Sequence, residues 1–223
     1  MPKKLELKEI REKCYGCYRP KKSCMCSYIQ KIDTNTRFII IMHPKEFKKT
    51  KNNTGRFTHQ SLPHSEIHIG IDFNHNDEIN KIINDQRNSC YVLYPGENSI
   101  KLNHQTIQKE NKKNVIFIID STWPCSNKIL AVSENISALP KLSFVHDRSS
   151  AYKIKTQPNE YCLSTIESTL CILELLNKHK IENISQESLD NFLKPFEKMV
   201  EYQVNCVLNS DSNNPRFLKR DDK

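Results

Sequence analysis

Val115-Ile116-Phe117-Ile118-Ile119-Asp120-Ser121-Thr122-Trp123 is the stretch on which the reading of this chain turns. Five consecutive β-branched or aromatic residues without polar alternation mark a strand buried on both faces of a sheet. The run stops at a carboxylate, Asp120, and Trp123 is the only tryptophan in 223 residues. Pro124 suits the first turn of a helix, for which Ile129, Leu130 and the segment 132–136 supply an apolar face over 124–136. Asp120 is therefore expected at the carboxyl end of a central strand, beside a helix start, where open α/β sheets bind their ligands.

Working outward, Thr36 to Met42 reads as a second buried strand ending at His43-Pro44, followed by a basic loop and a short helix through Leu62. Glu66 to Ile71 alternates like a half-exposed strand, and Asp77 to Asn84 reads as a helix. Cys90 to Tyr94 is another apolar strand, terminating at Pro95-Gly96, a strand end of the Asp120 type. Leu102 to Asn114 reads as solvated. Leu139-Pro140 precedes a last strand, Lys141 to Val145. Ser164-Thr165-Ile166-Glu167 has the form of a capping box and opens an almost wholly apolar helix to about His179. A final amphipathic helix or helix pair spans about Gln186 to Leu208, interrupted at Pro195. Apolar strands separated by helices predict an α/β fold with a mostly parallel sheet and flanking helices, the strand order being left open.

A hydrophobic content of 37% suffices for one enzyme-sized domain. No apolar run approaches the roughly 18 residues of a membrane span, and the charged segment 1–13 is unlike a signal, so a cytoplasmic protein without membrane association is expected. Residues 1–60 hold 15 Lys/Arg against 5 Asp/Glu, whereas the remainder holds 19 against 21. The basic face thus belongs to the first quarter and favours a polyanionic partner, nucleic acid first. The four glycines form neither a G-x-G-x-x-G nor a P-loop, which argues against those nucleotide sites. Nine cysteines fit a disulfide framework poorly. Cys14, Cys17, Cys24 and Cys26, spaced C-x2-C-x6-C-x-C, instead fit a closed tetrahedral site for structural zinc. These features divide the chain into a four-cysteine zinc-binding segment at 1–35, an α/β domain at 36–208 and a tail at 209–223.

In order along the chain, Cys14-x2-Cys17-x-Arg19-Pro20-x3-Cys24-x-Cys26, His43-Pro44-x-Glu46, Asn53-Thr54-Gly55-Arg56, Tyr94-Pro95-Gly96, Asp120-x-Thr122-Trp123, Ser150-x-Tyr152 and Leu163-Ser164-Thr165-x-Glu167 resemble the DTW-domain family. This is the family of tRNA-uridine aminocarboxypropyltransferases. The resemblance implies transfer of the 3-amino-3-carboxypropyl group from S-adenosylmethionine to N3 of a tRNA uridine, with release of methylthioadenosine. It also implies a fold related to the knotted SPOUT methyltransferases. Two departures stand out: Ser121 where members commonly have Gly, and Lys155 in a region where they have Arg.

On that resemblance the catalytic set is Asp120, Thr122 and Trp123. Asp120 would take the proton of the weakly acidic N3, or else pair with the donor's ammonium, orient the loop or cap the following helix. Trp123 would offer a face to adenine, uracil or sulfonium, or pack in the core. Leu93, Tyr94, Pro95, Gly96, Leu139 and Pro140 would border the donor's adenosine by analogy with SPOUT sites. Ser164, Thr165 and Glu167 form a helix start that either holds the donor's carboxylate or simply caps itself. Arg19, Lys21, Lys22, Lys48, Lys49, Lys51, Arg56, Lys153 and Lys155 are the tRNA-contacting candidates. A SPOUT-like RNA methyltransferase and a non-catalytic, zinc-stabilised RNA-binding module remain as alternatives, and both monomer and homodimer stay open.

Overall fold

The computed structural model describes residues 12–49, 53–107, 111–147, 150 and 162–209. The central run becomes β5 (Lys113–Asp120) of a six-stranded sheet with β1 (Arg37–Met42), β2 (Ser65–Ile69), β3 (Asn88–Leu93), β4 (Ile100–Lys101) and β6 (Lys141–Ser143). The order is β2-β1-β5-β3-β6-β4, and every pairing is parallel. β5 lies between β1, in register from Arg37↔Val115 to Met42↔Asp120, and β3, in register from Asn88↔Lys113 to Leu93↔Ile118.

Among the described residues, eight α-helices accompany the sheet: α1 (Pro44–Lys49), α2 (Thr54–Ser61), α3 (Asp77–Asn84), α4 (Trp123–Val132), α5 (Glu134–Ser137), α6 (Thr165–Lys178), α7 (Gln186–Asn191) and α8 (Lys194–Leu208). Side chains alternate across a strand, and both faces of β5 are buried. Ile116 and Ile118 join Phe38, Phe57, Leu173 and Phe196 on the α2, α6 and α8 side. Val115 and Phe117 join Ile39, Ile79, Ile129 and Ile136 on the α3, α4 and α5 side. This double covering is why the strand sequence lacks alternation. The same parity turns Asp120 toward α2 and α6. The chain leaves β1 toward β2 on one side and β5 toward β6 on the other, so the strand order reverses between β1 and β5, the position beside which open α/β sheets bind ligands.

Several elements differ from expectation for identifiable reasons. The helix expected over 124–136 is two helices, because buried Ser133 donates its hydroxyl to the Ile71 carbonyl and accepts the Phe73 amide, at 3.0 and 3.1 Å. The basic loop after His43 begins as α1, with Pro44 at its start and the Lys45 amide donating to His43 Nδ1. The segment 102–107 is not solvated throughout, since Leu102 and Ile107 are fully buried. Pro195 lies in the first turn of α8 and so begins that helix rather than interrupting one. No helix among the described residues is long and apolar enough to cross a membrane.

The chain entering β1 is held by a buried acid, Glu182. Its carboxylate accepts the amides of Asn35 and Thr36 at 2.7 and 2.8 Å. Glu182→Ala leaves the Thr36 amide buried without an acceptor, and should lower unfolding free energy by about 2 kcal/mol. Glu182→Gln, which keeps one acceptor, should lose less; urea denaturation of the two variants checks the order.

Candidate active site and metal centre

Asp120 is 4% exposed, and partners from two helices engage its carboxylate. Oδ2 accepts from Asn53 Nδ2 at 2.5 Å, and Oδ1 accepts from Thr165 Oγ1 at 2.6 Å. Asn53 is the N-cap of α2, where its Oδ1 accepts the Arg56 amide at 2.9 Å. That bond fixes the amide's orientation and leaves its NH2 for the acid. Thr165 is the first residue of α6, so the carboxylate faces the positive ends of two helices. Gly55 makes the approach possible: a Cβ there would stand 2.6 Å from Asp120 Oδ2. Beside them, the His43 amide donates to the Asp120 carbonyl at 3.1 Å. Burial, with Lys45 and Lys128 nearby, holds the His43 imidazole below its ordinary pKa.

Beside Asp120, above β5, β3 and β6, lies a cavity of about 360 Å³. Leu93, Tyr94 and Pro95 wall one side, Ser121, Trp123 and Ser126 another, and Leu142, Ser143, Phe144 and His146 a third. Cys162, Leu163, Thr165 and Ser168 close it on the α6 side. Trp123 is 45% exposed and meets Tyr94 edge-on, with ring centroids 5.9 Å apart. The Tyr94 hydroxyl donates to Asn127 Oδ1, and burial raises its pKa. Thr165 both lines the cavity and donates to Asp120, so its hydroxyl is the physical link between the open volume and the buried acid.

The sequence matches the DTW-domain family over residues 11–204. The chain belongs to that family. Among curated proteins, tRNA-uridine aminocarboxypropyltransferase 2 of Mus musculus is 28% identical over 205 residues, 90% of this chain and 66% of its own length. The Macaca fascicularis protein of that name is 27% identical over 198 residues, 87% of this chain and 64% of its own. The Drosophila melanogaster protein is 26% identical over 201 residues, 87% and 76% of the two chains. The chain thus spans slightly less than two thirds of the mouse and macaque relatives it matches. No solved structure gives a significant match.

Of the residues singled out in this DTW sequence, the structure brings Leu93, Tyr94, Pro95, Trp123 and Thr165 together on the cavity. Gly96 lies beyond its wall, with the Lys141 side chain close by. Thr122 is the N-cap of α4 without a side-chain cap bond, and Asp120 does not cap that helix either. Leu139 and Pro140 do not line the cavity. They precede β6, with Leu139 in the core on the α3 side and the Pro140 carbonyl accepting the Val92 amide. Ser164 spends its amide and hydroxyl on Glu167 Oε2 at 2.8 and 2.6 Å, and Glu167 also accepts from the Ser150 hydroxyl. The anion position at this helix start is therefore filled from within. Ser143, Phe144 and His146, the far wall, went unnamed in the sequence; the rule that function gathers beyond the carboxyl ends of strands points to them once β6 is placed.

The basic candidates also divide. Arg19 is a correction: it is buried, its guanidinium 4.8 Å from the Phe57 ring centroid and its Nη2 directed at Met199 Sδ, so it anchors the cysteine segment to α2 and α8. Lys21 pairs with Glu12 at 2.8 Å, Lys22 and Lys48 are exposed, and Lys49 closes α1. Arg56 is already engaged with two aromatic rings. Lys51, Lys153 and Lys155 lie outside the described residues, as does most of the tail.

The four thiols of the cysteine segment all lie within 4.8 Å of one another. The Cys14–Cys26 and Cys17–Cys24 sulfurs are each 3.7 Å apart, close to the ~3.8 Å edge of a tetrahedron with metal–sulfur bonds of about 2.3 Å. The amides of Cys17 and Gly16 hold the Cys14 thiol down to about 6, ready to bind as thiolate, while burial raises Cys24 and Cys26. Four sulfurs leave no open position, so a metal held here would be structural. Freshly purified, reduced protein should carry about one metal ion per chain by elemental analysis, and Cys14→Ser should lose it together with thermal stability. A metal-free wild type would remove the assignment.

Proposed function

We propose that this DTW-domain protein transfers the 3-amino-3-carboxypropyl group of S-adenosylmethionine to N3 of a uridine in tRNA. The N3–Cγ bond forms as the Cγ–S bond breaks, the sulfonium leaves as the neutral thioether of methylthioadenosine, and the N3 proton goes to the protein. The observation that carries this reading is a buried carboxylate joined through one hydroxyl to an aromatic-rimmed cavity, in a family whose relatives bear that enzyme's name.

A volume of about 360 Å³ suits a small-molecule donor. Trp123 and Tyr94 offer faces to adenine or to the sulfonium, with Leu93, Pro95 and Leu142 as the apolar wall. Uridine N3 is a poor nucleophile while protonated, so its proton must have a place to go. Thr165 supplies the path: its oxygen accepts the N3 proton as its own proton moves to Asp120 Oδ1. Asn53 Nδ2 can only donate, so it keeps Oδ2 an acceptor and directs the proton to Oδ1. The same reading includes zinc at the four thiolates, supported by their softness and number, and a cytoplasmic setting where tRNA is the substrate. A SPOUT-type knotted path rests on the family resemblance, and the division into zinc segment, catalytic domain and tail on the cysteine spacing and the run of strands and helices after it.

Incubation with S-adenosylmethionine and unmodified tRNA, followed by mass spectrometry of the nucleosides, tests the proposal. Wild type should yield an aminocarboxypropyl uridine and methylthioadenosine. Asp120→Asn should lower the rate at least about a hundredfold with tRNA binding retained, and Thr165→Val should fall comparably. S-adenosylhomocysteine as product would identify a methyltransferase instead, and binding without any product would identify a non-catalytic module.

A further inference from the structure

We propose that Tyr18 and Phe47, braced by Arg56, form a stacking platform for unpaired RNA nucleotides flanking the reacting base. This deepens the reading of the protein as an RNA-modifying enzyme and depends on it for the identity of the reacting base.

The first observation is strain. Tyr18 has φ 59°, in the left-handed region that bulky residues avoid, and its amide donates to the Cys14 carbonyl at 2.8 Å in the tight turn among the thiols. Glycine would make that turn without strain. A tyrosine stands there instead, and its ring is 65% exposed, so neither the turn nor the core accounts for the side chain. Second, the ring is held from beneath. The Arg56 guanidinium carbon lies 4.9 Å from the Tyr18 ring centroid and 4.6 Å from that of Phe47, and Nη2 donates to the Phe47 carbonyl at 3.1 Å. A guanidinium so engaged is a poor free phosphate ligand but a rigid brace for two rings. Exposed, fixed aromatic faces are what single-stranded nucleic acid stacks on.

Third, the platform adjoins the acid. Arg56 follows Gly55, which touches Asp120, and its amide is capped by the same Asn53 that donates to Asp120 Oδ2. The donor cavity reaches the acid from the other oxygen, through Thr165. The two sides of one carboxylate thus lead to two different surfaces, an aromatic-rimmed cavity and an aromatic, cationic face. Finally, the charge matches. Lys22, Lys45 and Lys48 are exposed on the segments that carry the rings, within a first quarter of 15 Lys/Arg against 5 Asp/Glu. RNA supplies both π-faces and phosphates, whereas duplex RNA hides its base faces.

The test measures binding of full-length protein to a labelled eight-nucleotide, uridine-rich RNA, single-stranded or annealed to its complement, by fluorescence anisotropy. The single strand should bind more tightly than the duplex. Tyr18→Ala and Phe47→Ala should each weaken it about tenfold, Tyr18→Phe should bind like wild type, and the slope of affinity against salt should be unchanged in all three. Phe47 is remote in sequence from the thiols and covers the case in which Tyr18→Ala disturbs the metal centre, which elemental analysis of that variant reports. Wild-type affinity in both alanine variants, equal loss in Tyr18→Phe and Tyr18→Ala, or preference for the duplex would each overturn the platform. Methylthioadenosine release from whole tRNA is read separately. Release by wild type with unaltered single-strand binding in the variants would sink the platform alone. Stacking-dependent binding without release would support the platform and sink the transferase.

Discussion

The carboxylate of Asp120 joins three elements that are far apart in sequence: the end of β5, the N-cap of α2 and the first turn of α6. Burying an acid there is costly, several kcal/mol for the lost hydration of the ion, and hydrogen bonds to a charged group return about 1.5–3 kcal/mol each. The bonds from Asn53 and Thr165 and the two helix dipoles offset part of that cost. An apolar side chain at the end of a buried strand would stabilise the fold at least as well. Gly55 leaves room for the carboxylate and the fixed amide of Asn53 meets it, so the local fold is arranged around an acid in that position.

α2 carries this arrangement to the metal centre. Over eight residues, about 12 Å of helix, it presents Asn53 to Asp120, Arg56 to Tyr18, Phe57 to Arg19 and Gln60 to Cys26. Every turn of the helix thus meets either the acid or the cysteine segment. A closed thiolate site has no chemistry to offer the reaction, and its usefulness lies in rigidity. A metal bound there would clamp the segment into a fixed surface for α2 to lean on, and α2 in turn would fix the angle at which Asn53 meets the acid.

What could be read from the sequence follows from the range of each signal. β5, the strand ends at Met42, Leu93 and Asp120, the self-capped start of α6 and the four thiols are local patterns, and each reads directly from neighbouring residues. The partners of Asp120 do not, because Asn53 and Thr165 lie 67 and 45 positions away and only the strand order brings them together. β6 shows the same limit. It has three residues, and the cavity is lined from its carboxyl end by Ser143, Phe144 and His146, while the more distinctive Leu139-Pro140 before it does not line the cavity. Charge counting finds the excess of cations in the first quarter but cannot tell that Arg19 turns inward, since a guanidinium over a ring and one on a phosphate have the same letter.

Ser121 raises a different question, because members of the family commonly carry glycine there. The obvious reason for a glycine after a strand end is a left-handed backbone. Among the described residues only Tyr18 and Lys180 are non-glycine positions with positive φ, so Ser121 takes an ordinary conformation and carries no such strain. Its hydroxyl meets Ser126 Oγ at 2.7 Å and reaches the Thr122 carbonyl at 3.2 Å, pinning the loop that a glycine would leave loose. Both serines line the cavity. The substitution therefore leaves the turn intact and changes the wall, adding a fixed polar pair beside Trp123 where a glycine would offer only backbone.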